Sequence, residues 1–262
     1  MINQDHDQEA GCGMKIKFPF ISREVRVGNC PLGGANQIRL QSMTSTTTGN
    51  TEATVVQAMR IFDAGADYVR ISVPGLNDAK NLMNIKKELL KRGYTGSLIA
   101  DVQFNPEIAE TAACFVEKVR INPGNYYDKR IAVISDNTDE KKSKVQIAVR
   151  KRFLKLLDIC NRHNTALRIG TNHGSLSQRI VNCYGDTPEG MVEATMEFLH
   201  ICRDADFHNV VVSLKSSNTR VMIQANRLMV FRMIMENMNY HIFHDHAENH
   251  QAVSLYHNTG IA

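Results

Sequence analysis

Short apolar runs alternate with longer helical stretches along almost the whole chain, and this repeat limits the possible folds more than any other feature. Strands are expected at Ile38–Met43, Asp67–Val73, Ser97–Gln103, Lys118–Asn122, Ala166–Gly170 and Asn209–Lys215. Helices are expected at Thr51–Ala64, Asn77–Arg92, Pro106–Cys114, Lys142–Arg162, Thr187–Arg203 and Asn218–Met238. Thr187-Pro188-Glu189 and Asn105-Pro106-Glu107 each place a capping side chain ahead of a proline at the first helical position. Gly65 and Gly93 follow their helices, where a left-handed residue closes the last turn. Such a repeat implies parallel strands joined by crossover helices. No Gly-x-Gly-x-x-Gly follows the first strand, which tells against a doubly wound dinucleotide fold. The expected class is α/β, a TIM-type (β/α) barrel. The strands are fewer than a closed barrel needs, so the barrel is expected to be incomplete at its C-terminal end.

Residues 1–13 read as a disordered tail, residues 14–240 as the barrel, and residues 241–262 as a divergent histidine-rich tail. The stretch 126–164, after the fourth strand, is too long for a simple connection and reads as an insertion. Its cluster Asp136-Asn137-Thr138-Asp139-Glu140-Lys141-Lys142 suits a solvated face. The tail carries His241, His244, His246, His250 and His257, but no regular spacing fixes a metal, and no metal ligand is assigned.

A chain of 262 residues with 43% hydrophobic content can build a sizeable core. No apolar run approaches a membrane span, and the polar N-terminus lacks the apolar stretch of a signal peptide, so a cytoplasmic protein is expected. Cys12, Cys30, Cys114, Cys160, Cys183 and Cys202 form no Cys-x-x-Cys pair and read as ordinary reduced thiols. A net charge of +4 suits an anionic small molecule, and the absence of Trp with only 6% aromatics disfavours nucleic acid.

The chemistry lies in the phase of the strands. Side chains alternate faces along a strand with period two. In Val69-Arg70-Ile71-Ser72-Val73 the apolar residues share one face and Arg70 and Ser72 the other. The same split isolates Asp101 and Gln103, then Arg120 and Asn122, then Arg168 and Asn172, then Ser213 and Lys215. The apolar face suits the outer helices. The polar face then points into the barrel, at the end where barrel sites sit. Three arginines and a lysine gathered there call for an anion, since buried charge needs a partner and Asp101 cannot neutralise all four. A phosphate or diphosphate is the simplest ligand, and guanidinium groups match its oxygens in pairs. Structural ion pairs with helix carboxylates are the competing reading.

Other segments add weaker signals. Asn122-Pro123-Gly124-Asn125 is a turn whose amides suit an anion, and Thr171-Asn172-His173-Gly174-Ser175-Leu176 lies between a strand and a helix. The hydroxyl-rich run from Gln41 to Thr48 reads as a polar loop in preference to a phosphate cradle.

These residues also carry a family resemblance. Gln41-Ser42-Met43-Thr44, Val69-Arg70-Ile71-Ser72-Val73-Pro74, Arg120-Ile121-Asn122-Pro123-Gly124-Asn125, Arg168 to Leu176, Tyr184 to Met191 and Ser213 to Arg220 follow one another as in the 4-hydroxy-3-methylbut-2-enyl diphosphate synthase family. The chain resembles its N-terminal barrel over about Arg23 to Tyr240, in the long, insertion-containing form. The resemblance implies reductive ring opening and dehydroxylation of 2-C-methyl-D-erythritol 2,4-cyclodiphosphate in non-mevalonate isoprenoid synthesis. It implies a [4Fe-4S] cluster whose ligands are expected to be missing from this chain, and ferredoxin or flavodoxin as electron donor. Such a chain alone is expected to be inactive, and a diphosphate-binding barrel without turnover is the alternative. A homodimer fits the family, as does a plastid stroma location for a plant-type source. By motif match, Arg70, Arg120, Arg168, Asn172, His173 and Lys215 are implied to bind substrate, with Asp101, Asn122, Ser175, Ser217 and Asn218 behind them. No catalytic residue is assigned. Gln103 stands where the family usually has histidine, so no proton chemistry is implied there.

Overall fold

The computed structural model describes residues 20–126 and 139–243. The expected disordered tail at 1–13, residues 127–138 of the expected insertion, and the histidine-rich tail from His244 onward lie outside the described residues.

Seven strands form one parallel sheet in chain order: β1 Gln41–Met43, β2 Tyr68–Ser72, β3 Ser97–Asp101, β4 Lys118–Ile121, β5 Ala166–Asn172, β6 Val210–Lys215 and β7 His241–Ile242. The crossovers carry α1 Thr51–Asp63, α2 Leu76–Lys91, α3 Pro106–Ala113, α4 Pro123–Tyr126, α5 Asp139–His163, α6 Gln178–Tyr184, α7 Pro188–Asp204 and α8 Thr219–Met235. Among the described residues β1 and β7 do not pair, so the wall is an incomplete (β/α) barrel, as expected.

The caps form as the sequence signals. Asn50 accepts from the Ala53 N–H, Asn105 from Glu107, and Thr187 from Gly190, satisfying amides that a first turn leaves open. Gly65 and Gly93 take φ of +89° and +85° after their helices.

The outward residues Val69, Ile71, Val119, Ile121, Leu167, Ile169, Val212 and Leu214 join the helices in one continuous core. Tyr126, Phe153 and Phe198, from α4, α5 and α7, stack edge to face within it. A second cluster holds the inward residues Tyr68, Ile99, Ala166 and Val211 together with Val25, Val27 and Leu32 of the N-terminal segment. That segment folds back through an antiparallel bridge between Val25 and Leu32 and floors the barrel with apolar side chains.

Three sequence expectations are corrected. The first strand starts at Gln41 instead of Ile38, and Ile38 and Leu40 are exposed, because β1 has a neighbour only at β2 among the described residues. A seventh strand, β7, forms where the sequence shows only a divergent tail; two residues are too few to display a period. Helix α6 is a short addition between β5 and α7 that carries no clear periodic signal. The helix expected at Lys142–Arg162 forms as α5 and packs against α3 and α7; buried Glu110 of α3 meets Arg152 and Lys155 of α5, both at 2.8 Å.

Candidate functional site

Register sets the site. Asp101 stands beside Arg120 across β3 and β4, and Arg120 stands beside Arg168 across β4 and β5. All three side chains are almost fully buried. Arg120 Nη1 donates to Asp101 Oδ1 at 3.1 Å, and Arg70 Nη2 donates to Oδ2 at 2.8 Å. One carboxylate therefore draws two guanidinium groups to a common point on the inner wall. Breaking an ion pair at this depth costs roughly 3–5 kcal/mol, because the stranded charge stays buried. Arg70 and Arg120 thus share one buried carboxylate on the inner wall.

Arg120 also donates through Nη2 to the Gly170 carbonyl at 2.9 Å. Burial pulls its pKa below the ordinary arginine value, with Asp101 opposing and Arg70 adding to that fall. Arg168 donates through Nε to Ser213 Oγ at 2.9 Å, and its guanidinium lies 4.5 Å from the Phe243 ring centroid. Lys215 ends β6 beside Asn172 of β5, and the His173 N–H donates to its carbonyl at 2.8 Å.

The rim is tied by polar contacts between loops. Asn122 Nδ2 donates to Ser175 Oγ at 3.0 Å, and Ser175 Oγ donates to the Asn172 carbonyl. His173 Nε2 lies 3.1 Å from the Asp186 carbonyl and 3.7 Å from its Oδ1, which also accepts from the Gly174 N–H. Ser217 is exposed, and the Asn218 side chain caps α8 by accepting from Arg220 and Val221 N–H groups. Gln103 is exposed just past the end of β3.

Two anion-cradle readings fail. In Asn122-Pro123-Gly124-Asn125 the Gly124 N–H donates to Asn122 Oδ1 and the Asn125 N–H to the Asn122 carbonyl, so these amides are spent inside the turn. In the hydroxyl-rich run Thr48 donates to the Ser72 carbonyl, Thr46 bonds Thr54, and Ser45 and Thr46 N–H groups donate to Gln57. That run is a loop fastened to α1, as the polar-loop reading expects.

Lys118 lies outside the residues that the sequence singles out, although it shares a phase with Arg120 and Asn122. It is fully buried, and its Nζ has no hydrogen-bond partner among the described residues. Nζ lies 4.7 Å from the Tyr68 ring centroid and 5.6 Å from that of Phe243. The rings favour the ammonium form by about 0.5–2 kcal/mol. Burying an ammonium costs several kcal/mol. Burial therefore dominates, and with Arg168 and Arg70 nearby it holds the Lys118 pKa well below the ordinary lysine value. Gly170 and Asp186 were also missed. The signal for Gly170 was a glycine in the inward phase between Arg168 and Asn172.

Cys160 and Cys202 are buried and do not suit soft-metal ligation. Burial pushes the Cys160 thiol up to about 12 and the Cys202 thiol well above its usual range. Among the described residues no three His, Cys, Asp or Glu side chains cluster to hold a metal ion. No described helix is long and apolar enough to cross a membrane.

A family model described as the GcpE TIM-barrel domain matches residues 22–244. The chain belongs to the GcpE TIM-barrel family. The family match extends past Tyr240 and includes β7. The chain is 52% identical over 221 residues to a 4-hydroxy-3-methylbut-2-en-1-yl diphosphate synthase (flavodoxin) of Parabacteroides distasonis, covering 84% of this chain and 36% of that protein. It is 54% identical over 218 residues to the protein of the same name from Bacteroides fragilis, covering 83% and 35%. The chain thus spans about a third of the length of the curated relatives it matches. Among solved structures, Yersinia pestis DHPS with a pterine-sulfa conjugate aligns with a TM-score of 0.50 at 9% identity, covering 84% of this chain and 76% of that one. Phospho-2-dehydro-3-deoxyheptonate aldolase of Thermotoga maritima also gives 0.50, at 11% identity, covering 94% and 78%. At such identities these two speak for the barrel fold alone.

Proposed function

We propose that this chain is the substrate-binding barrel of a 4-hydroxy-3-methylbut-2-enyl diphosphate synthase. Its ligand is 2-C-methyl-D-erythritol 2,4-cyclodiphosphate, whose ring is opened and dehydroxylated by two electrons. The supporting observation is the convergence of Arg70 and Arg120 on Asp101, with Arg168 in register beside them. A cyclic diphosphate arriving from the open ends of the strands would meet guanidinium groups already held in place, with Lys215, Asn172, His173, Asn122 and Ser175 at the rim. Asp101 orients the arginines, and Ser217 and Asn218 stand at the start of α8. Preorganised donors of this kind lose little freedom on binding.

The relatives' names support flavodoxin as electron donor, and bacterial relatives support a cytoplasmic setting. In the family, a [4Fe-4S] cluster would supply these electrons. The described residues do not fit that cluster, since no three of their His, Cys, Asp or Glu side chains come together to hold a metal, so no electron-transfer step is assigned to them.

Titration calorimetry of the full chain with the cyclodiphosphate tests the proposal. Binding is expected, with affinity falling about 10- to 100-fold in Arg168→Met, as for loss of a charge-assisted hydrogen-bonding group. Absence of binding, or equal affinity in the variant, would overturn it.

A further inference from the structure

We propose that Lys118 is a proton acceptor built beneath the anion site, uncharged in the empty barrel and protonated when a cyclic diphosphate settles on Arg70, Arg120 and Arg168. The inference rests on the anion-site reading and adds to it a linkage between binding and proton uptake.

Geometry carries it. Lys118 points inward one strand period below Arg120, and its register partner Ala166 lies one period below Arg168. Ile99, its partner on β3, lies one period below Asp101. The amine is thus set directly under the group of arginines, sealed from solvent and placed between the Tyr68 and Phe243 rings. Among the described residues the charged and titratable groups on the neighbouring strands can be named. β2 contributes Arg70 and the Tyr68 phenol, which donates to the Cys30 carbonyl. β3 contributes Asp101, already ion-paired to Arg70 and Arg120. β4 contributes Arg120, β5 contributes Arg168, and β7 contributes His241, whose Nδ1 lies 3.0 Å from Ser22 Oγ.

In the ligand-free barrel burial disfavours the charged form most, and Arg168 and Arg70 add repulsion that an anion would reverse. A doubly charged ligand reverses the sign of the nearby potential in a medium where charges interact strongly. The ammonium form then becomes favourable, and the proton comes from solvent. Each phosphorus of a cyclic diphosphate carries one strongly acidic oxygen, so the ligand arrives ionised and exchanges no proton of its own near neutral pH. By linkage, binding that favours a protonated group weakens as pH rises, by at most about tenfold per pH unit for one proton.

Calorimetry near neutral pH, in several buffers of different ionisation enthalpy, reads the effect directly. The slope of observed binding enthalpy against buffer ionisation enthalpy counts the protons taken up. The wild-type chain should show uptake approaching one proton, and this component should vanish in both Lys118→Met and Lys118→Arg. Binding without proton uptake in the wild type, a measurement that needs no variant, would overturn the role of Lys118 and leave the anion site standing. Uptake that persists unchanged in Lys118→Met would do the same. Failure of the wild type to bind would remove both.

Discussion

The Arg120 guanidinium occupies the space that a side chain on Gly170 would need. A Cβ built at Gly170 would lie 2.5 Å from Arg120 Nε and 3.2 Å from its Cγ, while Nη2 bonds the Gly170 carbonyl. The glycine is there for the arginine, since β5 alone would favour a larger residue. Gly170→Ala is therefore expected to push Arg120 off Asp101. Affinity for the cyclodiphosphate should fall about 10-fold or more, the scale of one charge-assisted hydrogen bond. Thermal unfolding should shift down as well, because Arg120 leaves Asp101 at a depth where a broken ion pair costs roughly 3–5 kcal/mol. An unchanged affinity would show that Arg120 does not need this pose.

Asp101 is the counter-charge that makes the empty site tolerable. Asp101→Asn keeps the shape and removes the charge, leaving two guanidinium groups against a neutral amide. Urea unfolding of the variant should report a loss of about 3 kcal/mol. Adding the cyclodiphosphate should restore more stability to the variant than to the wild type, since the ligand then supplies the negative charge that Asp101 has lost. Equal ligand stabilisation in both would count against this.

How far the sequence reveals the site depends on which physical rule each residue obeys. Arg70, Arg120, Arg168 and Asp101 obey strand alternation, a rule printed in the residue order, and all four lie where the phase puts them. The helix caps at Asn105 and Thr187 are local and equally legible. Lys118 followed the same alternation yet went unread, because a lysine at the start of a strand is indistinguishable from a snorkelling surface residue until Tyr68 and Phe243 arrive from distant segments. The turn amides at Gly124 and the hydroxyls at Thr46 and Thr48 looked available because their competitors, Asn122 Oδ1 and the α1 and β2 partners, are chosen by the folded backbone. The pairing of β7 with β6 is likewise a tertiary choice, made over two residues with no pattern of their own.

The Lys118 amine also ties stability to pH. In the folded chain its pKa is depressed, whereas unfolding returns it to the ordinary lysine value. Over the interval between these two values the unfolded chain binds one proton more than the folded chain. Stability therefore rises with pH across that window, by up to about 1.4 kcal/mol per unit from this residue, and the gain is lost as pH falls toward the folded value. Tyr68 and Tyr240 act oppositely above about pH 10, because their folded pKa values are raised by burial and the unfolded phenols ionise first. Lys118→Met should flatten the rise below that point and leave the chain more stable at neutral pH, on the order of 1 kcal/mol. Denaturation curves of the ligand-free chain at a series of pH values would check this, and a slope identical to wild type would refute it.

Two glycines of the rim separate steric from conformational demand. A Cβ at Gly124 would lie 1.7 Å from the Ser175 carbonyl oxygen and 3.0 Å from Leu176 Cα, so backbone faces it where no side chain can swing aside. At Gly174 a Cβ meets nothing within 4 Å, but φ is +80°, a conformation that other residues adopt at a cost of about 1–2 kcal/mol. Gly124→Ala must therefore separate α4 from the loop after β5 and break the Asn122–Ser175 bond at the rim. Overpacking of this kind costs about 1–3 kcal/mol, and the cyclodiphosphate affinity should fall with it. Gly174→Ala should lose similar stability through backbone strain while leaving Asn122 and Ser175 in contact. Parallel measurement of unfolding and binding tells them apart: comparable stability losses with a binding defect confined to Gly124→Ala are expected, and equal binding defects would mean that the Asn122–Ser175 contact has no part in shaping the rim.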